Sequence, residues 1–438
     1  MRIVTQTLLL ISMALGGVAE SGKAAELEWD CGWYRGDLVA GVPTGEGELE
    51  CDEFVYSGSF VDGLRQGEGT IDLRASGRYV GQVEDGVPKG KGIFYRPSGE
   101  WFEGQFSGWQ LTGRGTLHSP AGYYLEGEFV DGVLQQEGLL VFENGDRYQG
   151  DFRDNQPHGR GRFKFHDGTE YIGEIVAGRF HGQGLIRLST GVTYEGVFDS
   201  GRQTGEGTMT WPDGKLAKGY FVDGKLQGQG EVKFPNGDRY VGAFDDGVPH
   251  GQGRYTWLSG DVYAGTFEQH AITGRGELEW VNGNRYKGQV KDGKMHGDGV
   301  LILRDGTQYA GQFLLGDITG EGTRTLATGE VYVGQLIEGL PHGDGKQTYP
   351  DGSIFIGEFK RGLRDGNGEL IQTADGLRYV GEFENDQPHG VGSIYKDDEM
   401  VYYGKFARGK RAGKLKFKGR HQQRQGQDTE DEVDDWES

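Results

Sequence analysis

Apolar positions recur along this chain on a fixed beat. Around Tyr286, Gly288 and Val290, an aromatic ring, a glycine and an apolar side chain occupy alternate positions, so all three share one face of an extended strand. Turn formers follow from Asp292-Gly293 to His296-Gly297, and a second alternating run places Gly297, Gly299 and Leu301 on one face. Two alternating runs joined by such a segment read as a β-hairpin. With the glycine of each aromatic-x-Gly triplet as reference, the hairpins number about seventeen, from Gly36 to Gly404. Successive references lie 23 residues apart, except a first step of 22 and a step of 24 between Gly357 and Gly381. A period in this range marks a stacked-repeat architecture and leaves no room for an inserted domain.

The position two residues past each reference glycine is apolar throughout, as in Phe60, Phe106, Phe244, Val290 and Phe383, so that face is expected to be buried. Glycine in a strand is destabilising by roughly 0.5–1 kcal/mol relative to alanine. Repeating it on the buried face is therefore expected to serve packing, the bare backbone making room for neighbouring Tyr and Phe rings. Asp-Gly and Asn-Gly pairs such as Asp213-Gly214, Asp246-Gly247 and Asp292-Gly293 supply the positive φ of tight turns. The expected fold is all-β, an elongated single-layer antiparallel β-hairpin solenoid. At about 9.5 Å per hairpin, seventeen extend on the order of 160 Å.

Tyr240, Gly242, Phe244, Gly247, His250, Gly251 and Gly253 together give Tyr-x-Gly-x-Phe, then Asp-Gly, then His-Gly-x-Gly. This pattern resembles the MORN (membrane occupation and recognition nexus) repeat, over a stretch from about Leu27 to Gly413. Fidelity falls where Leu125 and Ala217 replace the Tyr and Gln136 replaces a Gly. The resemblance implies scaffolding or spacing, with self-association or phospholipid binding as the properties attributed to such repeats; it names no partner.

Outside the repeats, Met1-Arg2 and an apolar stretch from Leu8 to Val18 read as a signal peptide, so residues 1–25 are assigned to signal and leader, 26–413 to the repeats and 414–438 to a disordered tail. The export this implies points to the periplasm, or to a secreted or envelope-associated protein. The two cysteines, Cys31 and Cys51, sit at the two ends of the first repeat and form a candidate disulfide. The tail is basic first, with Lys414, Lys416, Lys418 and Arg420 as the candidate contact to anionic lipid, and acidic afterwards.

Composition changes this picture little. A net charge of -21 excludes a general nucleic-acid binder, while 83 glycines would suggest a linker if they lacked their period. His158, His181, His250, His296, His342 and His389 share one slot, but neighbouring repeats about 9.5 Å apart cannot bring two of them to one zinc, so they are read as hairpin-turn residues with no metal. The recurrent Gly-x-Gly precedes no helix and holds no nucleotide. Trp211, Trp257 and Trp280 share another slot, read as core-facing, with a glycan- or lipid-binding row as the competing use. No catalytic set departs from the repeat background, and no cofactor is expected. The sequence thus points to a non-catalytic envelope scaffold or assembly protein that binds partner proteins or self-associates as a homodimer. A phospholipid- or glycan-binding envelope protein is the alternative.

Overall fold

The computed structural model describes residues 25–414, and among them the chain forms thirty-five strands, from Ala25–Trp29 to Lys410–Lys414, and no helix. The all-β hairpin architecture expected from the alternation is therefore the one observed. The strands reach one residue beyond 26–413 at each end: Lys414, assigned to the tail by its composition, pairs through its backbone with Gly404 in the last strand. The apolar opening segment and Lys416, Lys418 and Arg420 lie outside the described residues.

The chain divides into two compact units, residues 25–201 and 202–414. Inside each unit, consecutive strands pair antiparallel in chain order. The hairpin around Gly242 shows how the second unit is built. Strand Arg239–Asp245 turns back through Asp246 and Gly247, both at positive φ (51° and 84°), into strand Val248–Thr256. Two positive φ values in a two-residue loop make the turn whose twist matches antiparallel strands. Gly242 then pairs with Gly253, while Phe244 pairs with Pro249, so the second strand is the longer over this stretch and carries a β-bulge. The bulge holds His250 and Gly251, the latter at a φ of 71° that glycine adopts without strain. The histidine slot is thus in a bulged strand, not in the turn where spacing alone had put it.

Tyr240 explains the glycines. A Cβ at Gly253 would lie 2.4 Å from the Tyr240 hydroxyl and 2.5 Å from its ring, so only bare backbone lets the ring lie across the second strand. The same fit recurs in the first unit, where a Cβ at Gly161 would sit 2.3 Å from the Tyr148 ring. Tyr240 is fully buried and meets Phe244 and Phe267 edge-on, with ring centroids 5.1 and 4.8 Å away. Its hydroxyl donates 2.8 Å to the carbonyl of Ala243, beside the break in the ladder, which partners a backbone group the bulge would otherwise leave open. Tyr148 donates likewise to Asp151, at 2.7 Å.

Two lateral ladders stack one hairpin on the next. At the turn edge, the glycine N–H of one turn donates to a carbonyl of the preceding hairpin: Gly247 to Leu226 at 2.9 Å and Gly293 to Ile272 at 3.1 Å in the second unit, Gly132 to Leu111 at 2.9 Å in the first. At the loop edge, a side-chain oxygen accepts the backbone N–H of the following loop. Asp238 serves Leu258 at 2.8 Å, Asp261 serves Val281 at 2.8 Å, and Asp146 serves His166 at 2.8 Å. Each repeat is held mainly by its neighbours, as expected for stacked units.

Candidate functional site

The expected repeat positions fall where alternation placed them. Tyr240, Gly242 and Phe244 share the inner face with Gly253, and Tyr286, Gly288 and Val290 do the same one hairpin pair further on, where a Cβ at Gly299 would touch the Tyr286 ring at 2.4 Å. Cys31 and Cys51 are bonded, with their Cα atoms 5.4 Å apart; the bridge ties the turn after the first strand to the end of the third. Lys414 is the one candidate lipid contact within the described residues.

The histidines contribute backbone more than ring. The carbonyls of His296 and His342 accept the hydroxyls of the buried Tyr286 and Tyr332, each at 3.2 Å. Where Thr273 fills the slot, its carbonyl does the same for Tyr263 at 3.2 Å, so the role is independent of the side chain. The described residues hold no group of three or more His, Cys, Asp or Glu side chains arranged for a metal ion. Trp211, Trp257 and Trp280 open the loops at the margin of the inner face and are half-buried. Trp257 packs on Tyr255 at 5.0 Å, and Lys215 reaches over the Trp211 ring at 4.6 Å.

Departures from the repeat are where the molecule becomes individual. In the hairpins where Phe102, Leu125 or Ala217 stands in place of Tyr, the position opposite the turn is Leu111, Leu134 or Leu226, whereas Tyr148 and Tyr240 are accompanied there by Pro157 and Pro249. Those leucines fill the space over the second-strand glycine that the tyrosine ring otherwise takes: the methyls of Leu111 and Leu134 come to 2.9 Å of a Cβ at Gly115 and Gly138. The next phenylalanine ring also comes in, Phe244 over Gly230 near Ala217 and Phe152 over Gly138 near Leu125, each 3.2 Å from an added Cβ. Around Phe102 and Leu125 the space stays open as a cavity of about 700 Å³ in the first unit.

Three further departures border this cavity, and a fourth lies in the hairpin of Leu125. Trp109 occupies the turn position that Gly247 holds in the second unit, and its ring, 40% exposed, meets Tyr79 and Phe94 edge-on at 6.4 and 6.1 Å. Glu100 and Tyr123 stand at the loop position where Asp146 and Asp238 build the lateral ladder. Gln136, close by, replaces the bulge glycine and is held at a φ of 61°. The charged groups of the lining are Arg96, Glu100 and Asp131. Arg96 is engaged twice, 3.0 Å from the Glu100 carboxylate and 4.5 Å above the Phe102 ring. On the opposite face of the same strands, Tyr95, Trp101, His118 and Tyr124 form a row of rings, Trp101 and His118 stacked at 3.5 Å. Desolvation lowers the His118 pKa.

The unbroken hairpins, their glycine register and the tyrosine, or the apolar side chain in its stead, over the second-strand glycine define a β-hairpin repeat protein. The MORN repeat family model matches fourteen segments between residues 56 and 399, together well over half of the chain, among them 79–101, 126–147, 240–262 and 286–308. The chain belongs to the MORN repeat family. Fourteen segments are fewer than the seventeen counted from the glycines, and residues 102–125, which bring Phe102, Trp109, Tyr123 and Leu125 to the cavity, are left unmatched between two of them. No curated protein is matched by the chain.

Among solved structures, the SAS-4 TCP domain of Drosophila melanogaster in complex with a proline-rich motif of Ana2 is similar at 13% identity, covering 41% of this chain and 85% of that one, with a TM-score of 0.23. The wild-type TCP10 domain of Danio rerio CPAP with a STIL peptide matches at 14% identity over 62% and 94%, with a TM-score of 0.14. A streptogramin B lyase matches at 13% identity over 63% and 95%, with a TM-score of 0.12. Scores this low bear on neither the activity nor the partners of this chain.

Proposed function

We propose that this MORN repeat chain is a non-catalytic scaffold or assembly protein of the cell envelope, binding partner proteins through the solvent side of its hairpins. The observation that carries this reading is the division of labour between the faces. Tyrosine, phenylalanine and glycine fill the inner face. The outer face presents cross-strand rows such as Val333, Lys346, Ile356, Glu369 and Val380, neighbours in the ladder in that order. Val333 and Ile356 are 50% and 45% exposed, so apolar side chains separated by one cation and one anion stand ready for a complementary strip of protein. Export to an oxidising compartment, the periplasm first, is supported by the apolar stretch from Leu8 to Val18 together with the Cys31–Cys51 bridge.

The test is a photo-crosslinking amino acid at Val333 or Ile356, with the chain expressed in its own cells. Discrete protein adducts from the envelope fraction are expected. An adduct of twice the chain's own mass identifies the partner as a second copy. Absence of any protein adduct from both positions refutes the reading, and recovery of the chain in the cytosol with Cys31 and Cys51 open to thiol reagents refutes its placement.

A further inference from the structure

We infer that the cavity around Phe102 and Leu125 is a binding pocket for an uncharged amphiphile, a small molecule with an apolar body and a hydroxyl or carbonyl at one end. Its volume of about 700 Å³ lies within the range of roughly 300–1,000 Å³ typical of small-molecule sites. It lies where the repeat pattern gives way on several positions at once, at the lost tyrosines, the turn tryptophan and the loop Tyr123, in a stretch that the family model passes over. The inference is independent of the scaffold reading, which concerns the other face of the hairpins.

The lining selects the class of ligand. Its walls are hydrocarbon and aromatic, including Phe106, Leu117, Leu140 and Phe163, each nearly inaccessible to bulk water. Its one cation, Arg96, is paired with Glu100 and stacked on Phe102, and a second carboxylate, Asp131, stands at the turn edge, so the lining carries a net negative charge that disfavours an anion. At that same edge are the neutral amides of Gln110, Asn155 and Gln156. Asn155 directs its carbonyl oxygen to the Leu134 N–H at 2.6 Å, which leaves its NH₂ as the group to donate to a ligand oxygen.

The probe is N-phenyl-1-naphthylamine, a neutral fluorophore, titrated into the full chain. Saturable binding is expected, displaced by 1-dodecanol and roughly tenfold less effectively by dodecanoate. The double substitution Leu125→Tyr with Leu134→Pro reinstates the pair seen in the Tyr148 hairpin and closes the cavity. It should weaken the probe about tenfold or more, whereas the same repair away from the pocket, Ala217→Tyr with Leu226→Pro, leaves binding unchanged. Should the double variant fail to fold, Trp109→Phe keeps the question open to test: energy transfer from tryptophan to the bound probe, compared at saturation, should fall. The inference is overturned if the full chain gives no saturable binding, if dodecanoate competes as well as dodecanol, if the folded double variant binds like the natural chain, or if Trp109→Phe leaves energy transfer unaltered.

Discussion

The substitution Gly253→Ala asks whether the glycine columns exist to accommodate tyrosine. An added methyl would stand 2.4 Å from the Tyr240 hydroxyl and 2.5 Å from its ring, where ordinary carbon contacts are about 3.5–4.0 Å. The ring must retreat by about 1 Å. It has nowhere free to go, being fully buried and wedged between Phe244 and Phe267. Overpacking of this kind costs about 1–3 kcal/mol, and pulling the hydroxyl from the Ala243 carbonyl costs about 1 kcal/mol more. Stiffening of the unfolded chain by alanine returns about 0.4–1 kcal/mol, which leaves a net loss of about 1–3.5 kcal/mol, centred near 2. The internal control is Gly230→Ala in the hairpin that lacks a tyrosine, where the nearest atoms lie at 3.0, 3.2 and 3.3 Å and the expected loss is about 1 kcal/mol or less. Because a repeat array need not unfold as one unit, the assay is native-state hydrogen exchange, read on the amides of Arg239–Asp245 and Val248–Thr256 for Gly253→Ala and of Leu216–Val222 and Lys225–Lys233 for Gly230→Ala. Equal losses for the two substitutions would refute the reasoning.

Three further outcomes are expected. Burial pushes the hydroxyls of Tyr56, Tyr79, Tyr171, Tyr240 and Tyr263 up to about 12 from an ordinary 10.0, so the folded chain holds its protons more tightly than the unfolded one; stability is full below pH 10 and falls as pH rises from there towards 12, and the tyrosinate absorbance of these five rings, read as the loss of signal in their Tyr→Phe variants, should rise together with loss of β circular dichroism, not before it. Asp238 has its pKa lowered, first by the Tyr255 hydroxyl at 2.6 Å and then by the Leu258 N–H and the Asn236 amide, so it stabilises above its ordinary 3.8 and loses that contribution as pH falls through the lower folded value; Asp238→Ala should cost about 1–3 kcal/mol at neutral pH and flatten the acid limb of the stability curve. Reducing the Cys31–Cys51 bridge, which spans 20 residues, should cost about 3 kcal/mol, seen as lost exchange protection in the first hairpins with the second unit unaffected.

The alternation of Tyr, Gly and Phe was sufficient to read the strands, their hairpins and the buried face, because a period of two leaves one choice of inner side chains. The reason for the glycines was legible too, since a residue that weakens strands yet recurs on one face needs a packing partner. The bulge was not. Its signature, a His-Gly pair beside the turn, resembles turn composition, and only the register Gly242 with Gly253 against Phe244 with Pro249 reveals the longer strand. The loop ladder escaped for a related reason: Asp146, Asp238, Asp261 and Asn284 read as turn formers in a sequence, and their second use as acceptors for the next loop depends on stacking.

The cavity could have been anticipated from a correlation within the chain itself. Leu125 and Gln136 were visible as lapses, but each was weighed singly against its own column. Taken in pairs, the loss of tyrosine at Phe102, Leu125 and Ala217 coincides with leucine at Leu111, Leu134 and Leu226, a packing exchange that conserves the filling of the glycine site, whereas Phe355, accompanied by Arg364, keeps its own ring over Gly368. Beside Phe102 and Leu125 the leucines cover the glycines while Trp109, Tyr123 and Phe142 line the open space. A stacked array can carry such a gap because its stability is close to a sum over neighbours. Tyr79 and Tyr148 stay fully buried in the hairpins on either side, so the tyrosine register resumes at once beyond the gap.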